Sequence, residues 1–106
     1  MIRRFDVFRN PNAKSARVVP YLVLLQSELL DSLATQMVAP LVRATALGGI
    51  GAERLNPELV VEGNRVLLLP QQMGAVQATS LTKWVTNLDA NRHEILAAVD
   101  FLFSGV

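Results

Sequence analysis

Hydrophobic and polar positions divide the chain into a strand-rich stretch and a helical end. Arg4-Phe-Asp-Val-Phe alternates enough to predict a first strand. Asn10-Pro-Asn-Ala-Lys-Ser is polar and turn-rich and predicts an exposed loop. Val18 to Leu25 (VVPYLVLL) is nearly continuous aliphatic with Tyr21 inside it, and its β-branched content predicts a buried strand. Pro20 cannot donate to a ladder, so that end is expected at an edge or a bulge. Gln26-Ser-Glu-Leu-Leu-Asp sets polar residues around the Leu29-Leu30 pair and predicts a short loop. Met37 to Val42 (MVAPLV) predicts a strand containing a second proline, Pro40. Residues 48–51 (GGIG) break any regular element.

Glu58-Leu-Val-Val-Glu, Gly63-Asn64 and Arg65-Val-Leu-Leu-Leu-Pro form the clearest local signal. Two short apolar runs flank a Gly-Asn pair, as in a two-residue hairpin. Gln77-Ala-Thr-Ser-Leu is read as one more strand. The period changes at Leu88. Asp89 is a candidate N-cap, and Asn91 with Glu94 offers an alternative. Ile95, Val99, Leu102 and Val106 then recur at helical spacing, with Leu96 and Phe103 widening the stripe. The expectation is an α+β chain, mainly β: a mostly antiparallel, strongly bent sheet or partial barrel with a C-terminal helix packed on it. No internal repeat or linker interrupts residues 1–106, which are read as one domain.

Composition narrows the chemistry. With 51% hydrophobic and only 18% charged residues, the chain has apolar surface to hide, so a homodimer or obligate partner is expected. Zero cysteines exclude disulfides, thiolate metal sites and cysteine nucleophiles. A lone histidine, His93, does not make a metal site. Met1-Ile-Arg-Arg leads into no apolar signal segment, and no run reaches the roughly 18 apolar residues of a membrane span. The expected location is cytoplasmic. The net charge is +1, but residues 1–17 hold Arg3, Arg4, Arg9, Lys14 and Arg17 against Asp6 alone. This run reads either as a solvated surface or as a patch for an acidic partner.

No catalytic constellation emerges. His93 and Glu94 are adjacent on a helix and do not face each other, so a solvated His93 is expected. Asp89, Glu94 and Asp100 suggest an acidic face without dyad or cage spacing. The glycines of 48–51 lack the lysine and context of a phosphate loop. Tyr21 and Trp84 are read as core or rim packing. Phe101 and Phe103 point about 200° apart on a helix, so both cannot face one core. One should meet a second surface, most simply a twofold interface.

The stretch Gln26-Ser-Glu-Leu-Leu-Asp followed by Met37-Val-Ala-Pro-Leu resembles the central signature of the CcdB toxins. There a Gln-Ser-Asp-Ile/Leu-Ile/Leu-Asp stretch leads into Met-Val-Ile-Pro-Leu. The terminal Phe103-Ser-Gly-Val is similar to that family's Phe-Trp-Gly-Ile. The resemblance implies the SH3-like barrel of the CcdB/MazF toxins, a long C-terminal helix and a homodimer. It also implies a non-enzymatic toxin of a type II toxin–antitoxin pair, without cofactor or direct nucleic-acid binding. Such a toxin binds the A subunit of DNA gyrase, traps it on cleaved DNA, and is neutralised by a partly disordered antitoxin, CcdA.

Position by position, the resemblance places the gyrase contact at Leu29 and Leu30 in the loop. On the helix it implies Asp100, Phe103, Ser104, Gly105 and Val106. Asp100 replaces the family's asparagine, and Ser104 replaces the tryptophan that stacks on gyrase. An interface tryptophan is often worth ~2 kcal/mol or more, so this departure weakens the expected contact. Arg9, Lys14 and Arg17, near the loop after the first strand, are expected to meet the antitoxin's acidic tail. Two other readings keep the fold: a repurposed homologue without gyrase poisoning, and a MazF-like endoribonuclease, for which no Arg/Ser/Thr cluster stands out in the sequence.

Overall fold

The computed structural model describes residues 2–47 and 52–105; the expected break at 48–51 and the terminal Val106 lie outside the described residues. The chain runs β1 (Asp6–Arg9), β2 (Tyr21–Leu24), β3 (Thr35–Arg43), β4 (Glu58–Val61), β5 (Asn64–Leu68), β6 (Gly74–Gln77), β7 (Trp84–Asn87) and α1 (Arg92–Ser104). Short 3-10 turns cover Glu28–Leu30, Ala44–Leu47, Pro70–Gln72, Ala78–Ser80 and Asp89–Asn91. The strands form one antiparallel sheet in the order β4-β5-β3-β2-β1-β7, with β6 also paired to β3. The sheet curls into a half-barrel, and α1 closes it.

Alternation explains which face is filled. Val7, Tyr21, Val23, Ala39, Leu41, Leu59, Val61, Val66 and Leu68 are buried on the face that receives Ile95 and Ala98 of the helix. Within each strand those positions are two apart, so one side of the pleat fills the core. The other side carries a smaller cluster of Phe8, Leu24, Val38 and Leu81. Burying a side chain such as Ile95 contributes roughly 1.5–3 kcal/mol.

β3 is the longest strand and serves two partners on one side. Thr35–Val38 pairs with β6 and Leu41–Arg43 with β5. Pro40 falls between these ladders. Its carbonyl accepts from Leu69 N at 3.1 Å, so its missing donor points to the same gap. A proline thus sits inside the sheet without breaking a ladder.

Several expected boundaries move. The first strand begins at Asp6, not Arg4, because Phe5 adopts φ 70°. The strand expected over Val18–Leu25 is only Tyr21–Leu24, an interior strand; Pro20 precedes it and needs no ladder bond. The strand expected at Gln77–Leu81 is instead Gly74–Gln77, and Ala78–Ser80 turns as a 3-10 segment. β7, a four-residue strand with a bulge against β1, was not expected.

The expected hairpin is present, but its turn is Glu62-Gly63, both at positive φ, and Asn64 already pairs with Val61. That is the two-residue geometry suited to strand twist. A non-glycine residue at Glu62 is held by distant partners. The Tyr21 hydroxyl donates to Glu62 Oε1 at 2.7 Å, and Arg9 Nη2 donates to Glu62 Oε2 at 2.8 Å.

The helix lies where the periodicity places it, with a different deepest face. Ile95 and Ala98 are fully buried; Leu96, Val99 and Leu102 are half-buried. Ala98 belongs to the same buried cluster as the inward residues of the sheet. Phe103 does not widen the buried stripe and is exposed. Neither proposed cap bonds the helix backbone: the Asp89–Asn91 turn leads in, and Asn91 Nδ2 donates to Glu94 Oε1.

Candidate functional site

The first part of the expected partner-facing surface is the turn after β2. Ser27 Oγ accepts from Leu29 N at 3.2 Å and starts the 3-10 turn Glu28–Leu30. No residue of that turn is buried, and Leu29 is 92% exposed with Leu30 at 46%. A cleft of about 350 Å³ separates the turn from the first half of α1, lined by Glu28, Leu29, Asp89, Arg92 and Leu96 among others. The turn therefore sits beside the beginning of the helix, whereas the other expected contacts lie at its end.

At that end, Asp100, Ser104 and Gly105 are exposed and Phe103 is 74% exposed. Ser104 Oγ donates to the carbonyl of Asp100 at 2.7 Å, so the hydroxyl is turned back on its own helix. Gly105 takes φ 71° and donates its N–H to Phe101 O at 2.9 Å, a left-handed cap that ends the helix. Phe101 lies under the Arg54 guanidinium, 4.3 Å from its ring centroid, and is half-buried. The two phenylalanines do part, but Phe101 is covered within the chain and Phe103 is the bare one. Leu96, Asp100 and Phe103 fall at i, i+4 and i+7, along one helix face about 10 Å long. That face joins the Leu29 cleft to Phe103.

The acidic residues do not all converge. Glu94 and Asp100 line a cleft of about 400 Å³ with Glu53 and Arg54, while Asp89 Oδ2 lies 3.6 Å from Arg92. Among the described residues no group of histidine and carboxylate side chains could hold a metal ion. His93 is exposed on the first turn of α1. Tyr21 is core, as expected, while Trp84 stands 60% exposed on the rim. Its indole N–H donates to the buried Asp6 carboxylate at 3.0 Å. The Arg3 N–H and the Asn87 amide complete the bonds that make that burial tolerable.

On the basic side the structure separates the three expected cations. Arg9 is committed to Glu62 and reaches a cleft of about 480 Å³. Lys14 and Arg17 are exposed but do not line it. The cleft instead gathers Arg43 and Lys83, with Asn10, Ser80 and Thr82. Sequence reasoning missed Arg43 and Lys83, and with them a grouping of basic and hydroxyl side chains. Lys83 arrives only through the β1–β7 pairing, where its carbonyl accepts from Arg9 N at 2.9 Å. Arg43 arrives through its Nε bond to Arg17 O at 3.0 Å. The Glu62 carboxyl is held below the ordinary carboxylate range by the Tyr21 hydroxyl first and the Arg9 guanidinium second. Burial, and then Glu62 itself, push the Tyr21 phenol up.

The cleft suits an anionic group. Its described lining offers cations and hydroxyls, the basic and hydroxyl grouping that the endoribonuclease reading requires and that does not stand out in the sequence.

The family model described as "CcdB protein" matches residues 4–105. No curated protein matches the chain.

Proposed function

The chain belongs to the CcdB family of toxin–antitoxin toxins, and from that premise we propose that it acts as a homodimer on the A subunit of DNA gyrase and is neutralised by a CcdA-like antitoxin. One observation carries this reading. Two large apolar side chains, Leu29 and Phe103, are almost bare at the positions the family resemblance assigns to the gyrase contact. Contiguous apolar patches mark interaction surfaces, and the helix face of Leu96, Asp100 and Phe103 begins at the Leu29 cleft. Leu30, Asp100, Ser104, Gly105 and Val106 complete the proposed contact. Arg9, Lys14 and Arg17, with Arg43 and Lys83, form the side offered to an acidic antitoxin segment. The function is interaction, not catalysis.

Purified protein mixed with gyrase from its own host should inhibit supercoiling or accumulate cleaved DNA. No effect at any concentration overturns the gyrase part. A second reading rests on Ser104, whose hydroxyl is spent on Asp100 O and anchors nothing outside the helix. Under it the protein is a repurposed homologue that no longer poisons gyrase. Expression without antitoxin separates the two: growth arrest supports the toxin, and unimpaired growth supports the repurposed homologue.

A further inference from the structure

The turn that exposes Leu29 and Leu30 buries none of its own residues. Every residue from Glu28 to Thr35 is exposed except Asp31, which is half-buried. Polar bonds therefore contribute much of its shape, and three of them converge on one atom. The Leu30 carbonyl accepts from Leu33 N at 3.2 Å, from Gln26 Nε2 at 3.2 Å and from Gln36 Nε2 at 3.1 Å. A carbonyl has two lone pairs, so three donors share it.

The two glutamines come from opposite sides. Gln26 follows β2; its amide also donates to Thr35 O and its Oε1 accepts from Met37 N. Gln36 is the second residue of β3 and only 1% exposed. Its amide nitrogen also reaches Leu33 O at 3.1 Å, while its Oε1 has no partner among the described residues. The donor end of this buried amide is thus the end turned onto the carbonyls of the turn. A glutamine that served only as filler would be replaced by methionine without loss, since methionine has similar length and no polar group to bury.

From this geometry we infer that Gln36, assisted by Gln26, is a positioning residue that presents Leu29 and Leu30 to a partner. Only the partner's identity rests on the gyrase reading; the positioning itself does not. A turn already fixed in its bound shape loses less conformational freedom on docking than a floppy one. The residue acts at a distance and touches no partner.

The test uses the whole protein and its Gln36→Met variant, with two readouts. In the free protein, amide exchange at Leu30 and Leu33 should accelerate about tenfold, the change expected of one lost hydrogen bond. Gyrase binding should weaken by a similar factor. In a Leu29→Ala, Leu30→Ala background, Gln36→Met should weaken binding no further, because its effect passes through those leucines. A fully additive loss, or unchanged exchange, overturns the inference. If Gln36→Met does not fold, Gln26→Met at the half-buried position loosens the same carbonyl and decides by the same exchange measurement. If the wild type fails to bind gyrase, the proposed function falls, while exchange in the free protein still decides whether the glutamines hold the turn.

Discussion

Leu29 and Phe103 are both nearly bare, yet they are held by different means. Phe103 rides on the last turn of a regular helix, anchored by Ile95 and Ala98 in the core and ended by Gly105. Leu29 rides on a turn that buries none of its own residues, held by the amides of Gln26, just after β2, and Gln36 of β3. The helix end depends on backbone repetition and on packing several residues earlier. The turn depends on a few polar atoms. High exposure at both sites therefore hides unequal vulnerability. The helix end should tolerate most local changes and fail with the core, whereas the turn should fail with single side chains the partner never meets.

The largest effect should come from the core. Ile95→Ala should destabilise the fold by about 2–5 kcal/mol, read as a lower denaturant midpoint, because it leaves a cavity where helix meets sheet. It should free Phe103 more than Leu29; equal disturbance of both in exchange or spectra would collapse the contrast.

Next in size are the bare residues themselves. Leu29→Ala and Phe103→Ala should change stability by no more than about 0.5 kcal/mol. Each should weaken gyrase binding by about 2 kcal/mol, and unchanged titrations for both would remove these residues from the contact. Ser104→Trp should have a smaller, opposite effect. An indole beside Phe103 should tighten gyrase binding roughly tenfold, and a weaker complex would mean that the surface is fitted to serine.

The smallest effect concerns pH. The Glu62 carboxyl has a depressed pKa in the fold, so its stabilising contribution is complete above the ordinary value near 4.5 and is lost as pH falls through the depressed one. Its exposure keeps the effect small. Glu62→Gln should flatten the acid limb of a stability–pH curve, and an unchanged limb would show that the pair with Arg9 and Tyr21 carries none of it.

How much of this could be read from the sequence followed the range of the forces involved. The helix was legible because Ile95, Val99 and Leu102 repeat within one element, although which face goes deepest depended on Ala98 fitting the sheet. The β4–β5 hairpin was legible, but its turn was placed one residue late. Nothing near Glu62 announces positive φ; the cause lies in Tyr21 and Arg9, more than forty residues away in sequence. β7 stayed invisible because a bulge at Val85 breaks its alternation. For the proposed partner-facing surface, the resemblance names residues that are exposed in the fold. Arg43 and Lys83 could not be named, since each gains its place only when distant strands pair, and Gln36 could not because nothing in the residue pattern shows its amide turned onto the carbonyls of Leu30 and Leu33.

Pro40 has a consequence for folding rather than for function. Its carbonyl and its absent donor face the fork where β3 passes from β6 to β5. Slip β3 by one residue and the proline turns toward β2, where a donor is required and none exists; every side chain on the strand also changes face. Slip it by two and the proline enters one of the two ladders. A single imino acid thus acts as an alignment mark, tolerated in one register and costly in its neighbours. The longest strand of the sheet carries its own check against misassembly.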